Sequence, residues 1–384
     1  MNGIFTISLD FELHWGGFEK WPLDLSRQLA VGSGQEAVSS RQSAVRTSEE
    51  WGVDRGDLAG LKSHISNLTS LSSSSFFQPA RNYNEYFLNT RRVIPELLRL
   101  FATHDVHVTW ATVGLLMHAS KAEAVANFPA LQPTYKTHAL SAYRYIQDQG
   151  TGADESEDPF HFADALVRQI ITTPHQELGS HTFAHFYCNE AGQTVDQFHA
   201  DLTSAQRAAS RYNKQLVSLV FPRNQFNDAY LRACHDAGIR SVRSNPVDWF
   251  WKIDSTLAES KWKRLNRGLD AYFPVGSHNA YRLSDIPVRE GFPICLPASR
   301  LLRPYRPAEF FLNALKIKRI QSEMTRAARL GEVYHLWWHP HNFGRHPVQS
   351  LRGLTHILEH YQQLRVAYGM ESLTMGEIAN RLRP

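Results

Sequence analysis

The sequence predicts an α/β protein whose parallel sheet curls toward a barrel. Two observations carry this. About seven short segments have the apolar patterning of strands, and helical patterns lie between most of them. Strands alternating with helices imply parallel pairing and right-handed crossovers, in an open sheet or a closed barrel, and about seven strands favour the barrel.

Taken in order, 4–12 alternates, with Phe5, Ile7, Leu9 and Phe11 on one face and Thr6, Ser8, Asp10 and Glu12 on the other. From 17 to about 85 the pattern breaks, and the run 63–75 is rich in serine, so a long, flexible insertion is expected there. A helix over 89–103 rests on Val93, Leu97, Leu100 and Phe101. Strands at 106–113 and 176–180 follow, with a low-signal stretch rich in Gly and acids at 147–158 between them. Thr194 and Gln197 make a capping box ahead of the stripe Phe198, Leu202, Ala205 and Ala209. A strand at 216–221 precedes a helix over 227–237 that Gly238 stops, and further strands are expected at 239–243, 294–296 and 333–339.

The 384 residues, 42% of them apolar, suffice for a sizeable core, and one catalytic domain spanning 1–384 with the insertion is the expectation. The formal charge of +4 is small and the basic residues are scattered, which argues against a nucleic-acid partner. Cys188, Cys234 and Cys295 match neither a disulfide framework nor a zinc ribbon and read as buried thiols of a reducing compartment. No basic leader or cleavage site stands at the N-terminus, and no run approaches the roughly 18 apolar residues of a membrane span, so a cytoplasmic location is expected. The oligomeric state is not legible.

Residues two apart on a strand share a face, so Asp10 and Glu12 project together near the C-terminal end of the first strand, where alternating barrels build their sites. Two ordinary solvated carboxylates would look the same. In Gly179-Ser180-His181-Thr182-Phe183-Ala184-His185 the histidines stand four apart, which on a helical turn would put both imidazoles on one face. Two imidazoles and one carboxylate suit a divalent ion with positions left open for water and substrate. Zinc is the first choice, with iron, cobalt and manganese suiting the same donors. In the last strand His335, Trp337 and His339 share a face, and His339 at its end is placed to protonate a leaving amine, whereas His335 and His341 read as structural.

Ser8-Leu9-Asp10-Phe11-Glu12-Leu13-His14-Trp15-Gly16, the His181 motif, and His335-Leu336-Trp337-Trp338-His339-Pro340 together, and in this order, resemble the polysaccharide deacetylase family, also called the NodB-homology or carbohydrate esterase 4 family. The resemblance covers 3–16 and about 86–384. It implies a deformed (β/α)7 barrel of the NodB-homology type, a metal held by an acid and two histidines, an aspartate as base and a late histidine as acid. Asp10 matches the base and Glu12, His181 and His185 the ligands, although the commonest family pattern has two adjacent aspartates, so Asp10 and Glu12 could exchange roles.

The family's groove-lining Arg-Pro motif corresponds loosely to Phe221-Pro222-Arg223-Asn224-Gln225-Phe226-Asn227, with the order of Arg and Pro altered. Arg223 is placed as orienter of the base, a part that Arg243 or Arg303 could also fill, and Trp337, Asn224, Arg243 and Arg303 are assigned to the substrate. The implied activity is metal-dependent removal of an N-acetyl group from a sugar, in surface polysaccharide metabolism. Its partner would be an N-acetylated saccharide, with lipid- or nucleotide-linked forms among the candidates. Two alternatives remain: hydrolysis of another C–N bond, as in a formamide or ureide, and a carbohydrate-binding protein with impaired catalysis.

Overall fold

β1 (Ile4–Phe11) is buried along its whole length, with neighbours on both sides. In this computed structural model residues 2–23, 77–148, 150–246, 248–251, 260–273 and 275–383 are described. Helix α1 (Tyr83–Thr103) leads into β2 (Val108–Thr112). After α2 (Lys121–Ala126), α3 (Ala142–Asp148) and α4 (Asp164–Thr172) comes β3 (Gln176–Ser180). The alternation continues through α5 (Val195–Ser210), β4 (Ser218–Val220), α6 (Asp228–Asp236), β5 (Ser241–Ser244) and α7 (Lys261–Asp270). It closes with β6 (Ile294–Pro297), β7 (Arg300–Leu301), α8 (Phe310–Leu330), β8 (Val333–Trp338), α9 (Pro347–Tyr368), β9 (Glu371–Ser372) and α10 (Met375–Leu382).

The strands form one parallel sheet in the order β6-β5-β4-β3-β2-β1-β8-β7, with β9 also paired to β1. Among the described residues no ladder joins β6 to β7, so the sheet curls into a deformed, incomplete barrel of the (β/α)7 type. The curl is visible chemically. Arg243 on β5 hydrogen-bonds Ser8 and Asp10 on β1, although three strands lie between them in the sheet. The polar face of β1 therefore looks into the barrel. Its apolar face packs outward, Phe5 on Tyr361 of α9 and Phe11 on Trp110.

The seven strands lie where the apolar patterns put them, most of them shorter by a residue or more at one or both ends. β7 and β9, two residues each, carry too little pattern to be legible. The Thr194 capping box forms as expected, and Phe198, Leu202, Ala205 and Ala209 are buried. α1 starts at Tyr83, ahead of the expected 89, because the Asn82 side chain caps it by accepting from the Glu85 amide. The stretch 147–158 is tied into the fold where it is described: Asp158 is buried and accepts from the Gly152 amide and from His161.

Met1–Pro22 and Pro79–Pro384 form one compact unit. The serine-rich run of the expected insertion lies outside the described residues. Residues 17–22, expected within the insertion, belong to that compact unit, and the Trp21 ring packs on Phe87 and His341. No described helix is long and apolar enough to cross a membrane. The three cysteines are free thiols.

Candidate active site

The sheet register brings the ends of β1, β3 and β8 level: Asp10 pairs with Ala111 and that residue with Gly179, while Leu9 pairs with Trp338. Asp10 and Glu12, His181, and His339 therefore emerge side by side at the C-terminal end of the strands.

Glu12 stands between two imidazoles. Its Oε2 lies 3.2 Å from His181 Nε2 and 3.0 Å from His185 Nε2, and all three residues are buried. His181 Nδ1 is 2.8 Å from the Val220 carbonyl, which can only accept, so Nδ1 carries the proton. In the neutral ring Nε2 is then a bare lone pair facing a carboxylate, and a positive charge has to lie between the two. His185 is likewise fixed through its far nitrogen, 3.0 Å from the Tyr187 hydroxyl. Ligand nitrogens oriented by a partner on the opposite ring nitrogen are the usual outer shell of a metal site. The three donor atoms lie within 4.8 Å of one another, so the residues fit a divalent ion. Burial pushes the Glu12 carboxyl up, but His339 and the paired histidines outweigh it and hold Glu12 well below the usual range. Gly16 packs against this carboxylate: a Cβ there would meet Glu12 Oε1 at 2.0 Å, so the close approach requires glycine.

The second carboxylate is held differently. Arg243 grips Asp10 with both ends, Nη1 to Oδ1 at 2.6 Å and Nη2 to Oδ2 at 2.8 Å. Burial raises the Asp10 carboxyl, but the Arg243 guanidinium and His339 bring it below its ordinary value. Arg243 also donates to Asn224 Oδ1 at 3.1 Å, and its guanidinium lies 4.1 Å over the Trp337 ring. His339 Nε2 is 3.5 Å from Asp10 Oδ2 and 3.6 Å from Glu12 Oε1, within reach of both carboxylates.

Ten residues were expected to form the site, and the placements differ. Asp10, Glu12, His181, His185, His339, Arg243, Asn224 and Trp337 come together. Arg223, expected as orienter of the base, bonds Glu19 and stacks over Tyr187 at 4.0 Å; the fork on Asp10 comes from Arg243 instead. The reason is topological. Arg243 lies within a strand and points into the barrel, whereas Arg223 sits in a short 3-10 turn with φ of 53°. Arg303 donates to the Arg267 carbonyl and lines a cavity with Tyr305, Lys316 and Phe343. Trp337 is buried beneath Arg243 and supports the arginine.

The His181–His185 spacing does not lie on a helical turn. Thr182 and His185 have φ of 62° and 54°, left-handed conformations that no helix contains. His341, read from the sequence as structural, has Nδ1 3.7 Å from Glu12 Oε1, brought in because Pro340 turns the chain into a 3-10 segment after β8. Burial pushes its imidazole down to about 3. His335 serves the barrel interior, 2.9 Å from Ser8 Oγ.

No protein-family model and no curated protein matches the chain. Solved structures do. A candidate polysaccharide deacetylase from Mycobacterium smegmatis is similar with a TM-score of 0.50 at 13% identity, over 99% of this chain and 90% of that one. The fold is of the polysaccharide deacetylase type. A second candidate polysaccharide deacetylase, from Pseudomonas aeruginosa PAO1, matches over the same shares at 12% identity with a TM-score of 0.48. At such identity the likeness is one of fold.

The turn that carries both histidines is held by a residue the sequence reading passed over. Asp201 on α5 accepts from the Phe183 amide at 2.7 Å, the Ala184 amide at 3.2 Å and the Tyr143 hydroxyl at 2.7 Å. Burial lifts its carboxyl to about 6 against the downward pull of those three donors. Asp201→Ala strands three buried donors, at roughly 1–3 kcal/mol for each group left unsatisfied. Urea denaturation should therefore show a loss of at least about 3 kcal/mol, and metal titration a weaker site, with Asp201→Asn intermediate. If Asp201→Ala matched the parent in both measurements, the turn would be held by something else.

Proposed function

We propose that the chain is a metal-dependent hydrolase that removes an acyl group, N-acetyl above all, from a sugar. The observation that carries the reading is Glu12 set between two imidazole nitrogens, with a second buried carboxylate at the same strand end. Glu12, His181 and His185 hold the metal in this reading. The ion supplies Lewis-acid polarisation of the acyl carbonyl and a more acidic water, zinc being the first choice and iron, cobalt or manganese the alternatives.

Asp10 accepts the proton of the attacking water. The Arg243 fork keeps it anionic and fixes its position, which lowers its basicity but spares the reaction a reorganisation. His339, with 27% of its side chain exposed, is the member of the set that substrate can reach, and its Nε2 delivers a proton to the departing nitrogen. Asn224, partly exposed beside Arg243, keeps the substrate-binding role in this reading, and His341 stands beside Glu12. The substrate we favour is an N-acetylated saccharide, free or on a lipid or nucleotide carrier, met in the cytoplasm.

The test is acetate release from a panel of N-acetylated sugars, with His339→Ala alongside. A positioned acid contributes roughly 10²–10⁴-fold, so the variant should lose activity on that order with its metal retained. The defect should shrink on a phenyl acetate, because a phenol departs without a proton. Equal slowing of amide and ester would remove His339 from the acid role. Formate or ammonia in place of acetate would move the reading to another C–N bond, and sugar binding without turnover would make the chain a carbohydrate-binding protein.

A further inference from the structure

α7 presents its apolar stripe to solvent. Trp262, Leu265 and Leu269, spaced three and four apart, share one face and are all exposed, Trp262 at 70%. Phe310 and Phe311, which open α8, are 70% and 86% exposed. The two elements are joined where the Tyr272 hydroxyl, just past α7, donates to Glu309, just before α8. Single exposed apolar residues are ordinary; five large ones on adjoining elements, three of them aromatic, mark an interaction surface.

Charge identifies the partner. Lys261 and Lys263 flank Trp262, and exposed Lys318 lies two turns along α8 from Phe311, on the same face. Among the described residues the acids nearby are withdrawn: Asp270 is buried on Arg300 and Arg319, and Glu309 bonds Tyr272 and Arg306. Protruding aromatic rings with exposed Lys261 beside Trp262 and exposed Lys318 in line with Phe311 suit a surface that is apolar beneath and anionic on top. Arg267 of α7 rests over Trp251, whose ring packs on Trp337 beneath Arg243, so the patch is a few side chains from Asp10.

We propose that this surface docks on an anionic phospholipid bilayer, with Trp262, Phe310 and Phe311 at the acyl boundary and the lysines among the headgroups. The inference stands apart from the reaction proposed above and does not need it. The test is flotation of the full chain with vesicles of phosphatidylcholine alone and with about one-third phosphatidylglycerol added, at low and high salt. The parent should float with the anionic vesicles, release at high salt and ignore the neutral ones.

The triple variant Trp262→Ala, Phe310→Ala, Phe311→Ala should lose partitioning by at least about 100-fold, since three large apolar side chains no longer insert. Lys261→Glu with Lys318→Glu should lose at least about fivefold per lysine. Both variants should melt with the parent, because the altered side chains are exposed. Absence of parent binding, equal binding to neutral vesicles, or full binding by the triple variant overturns the proposal. So does sedimentation showing that the face instead joins two copies of the chain, a dimer that the triple variant abolishes.

Discussion

Asp10→Asn is expected to abolish turnover while the metal stays bound, and Glu12→Gln to lose the metal first and turnover with it. The two carboxylates lie at one strand end, but their surroundings differ. Asp10 is spanned by the Arg243 fork, with His339 its nearest imidazole. Glu12 has both ring nitrogens of the His181 turn on a single oxygen. An amide at 10 still accepts from Arg243 but cannot take a proton, and loss of a base costs roughly 10²–10⁴-fold. The effect should lie at the upper end, since Arg243 then keeps a buried charge without its counter-ion, a change that also lowers stability. An amide at 12 removes the negative charge from between the two imidazoles, and cation affinity falls with it. Metal analysis and turnover on the two purified variants decide between the roles. The opposite pattern would exchange base and ligand, and metal loss in both would make Asp10 a ligand too.

The strand pattern made the barrel legible because β1, β2, β3 and β8 are long enough to show their period, and because the motif residues fall at strand ends. What escaped is what sequence distance hides. The Arg243 to Asp10 fork joins residues 233 apart and forms only because the sheet curls, so no local pattern separates Arg243 from Arg223 or Arg303. The His181 turn was read as helical from spacing alone, yet its left-handed residues are stabilised by Asp201, on the next helix. Tyr187, two residues past His185, could have been suspected as its orienter from proximity. Alternation along β8 put His335, Trp337 and His339 on one face, and the chain leaves that alternation at Pro340, which is why His341 arrives beside Glu12 unannounced.

The most direct test of the account is the ion itself. Titration of the apo chain with zinc, followed by element analysis after dialysis, should give about one tightly held ion per chain. In the proposed site each imidazole is one of three protein ligands among the described residues, so His181→Ala should bind far more weakly, and the double variant with His185→Ala should hold none. Both variants should keep the circular dichroism of the parent, because the histidine turn is anchored through the Phe183 and Ala184 amides, which these substitutions leave in place. Acetate release should vanish with the ion and return when zinc is restored to the parent but not to the double variant. A double variant that holds its ion and its activity would contradict the account and place the chemistry elsewhere.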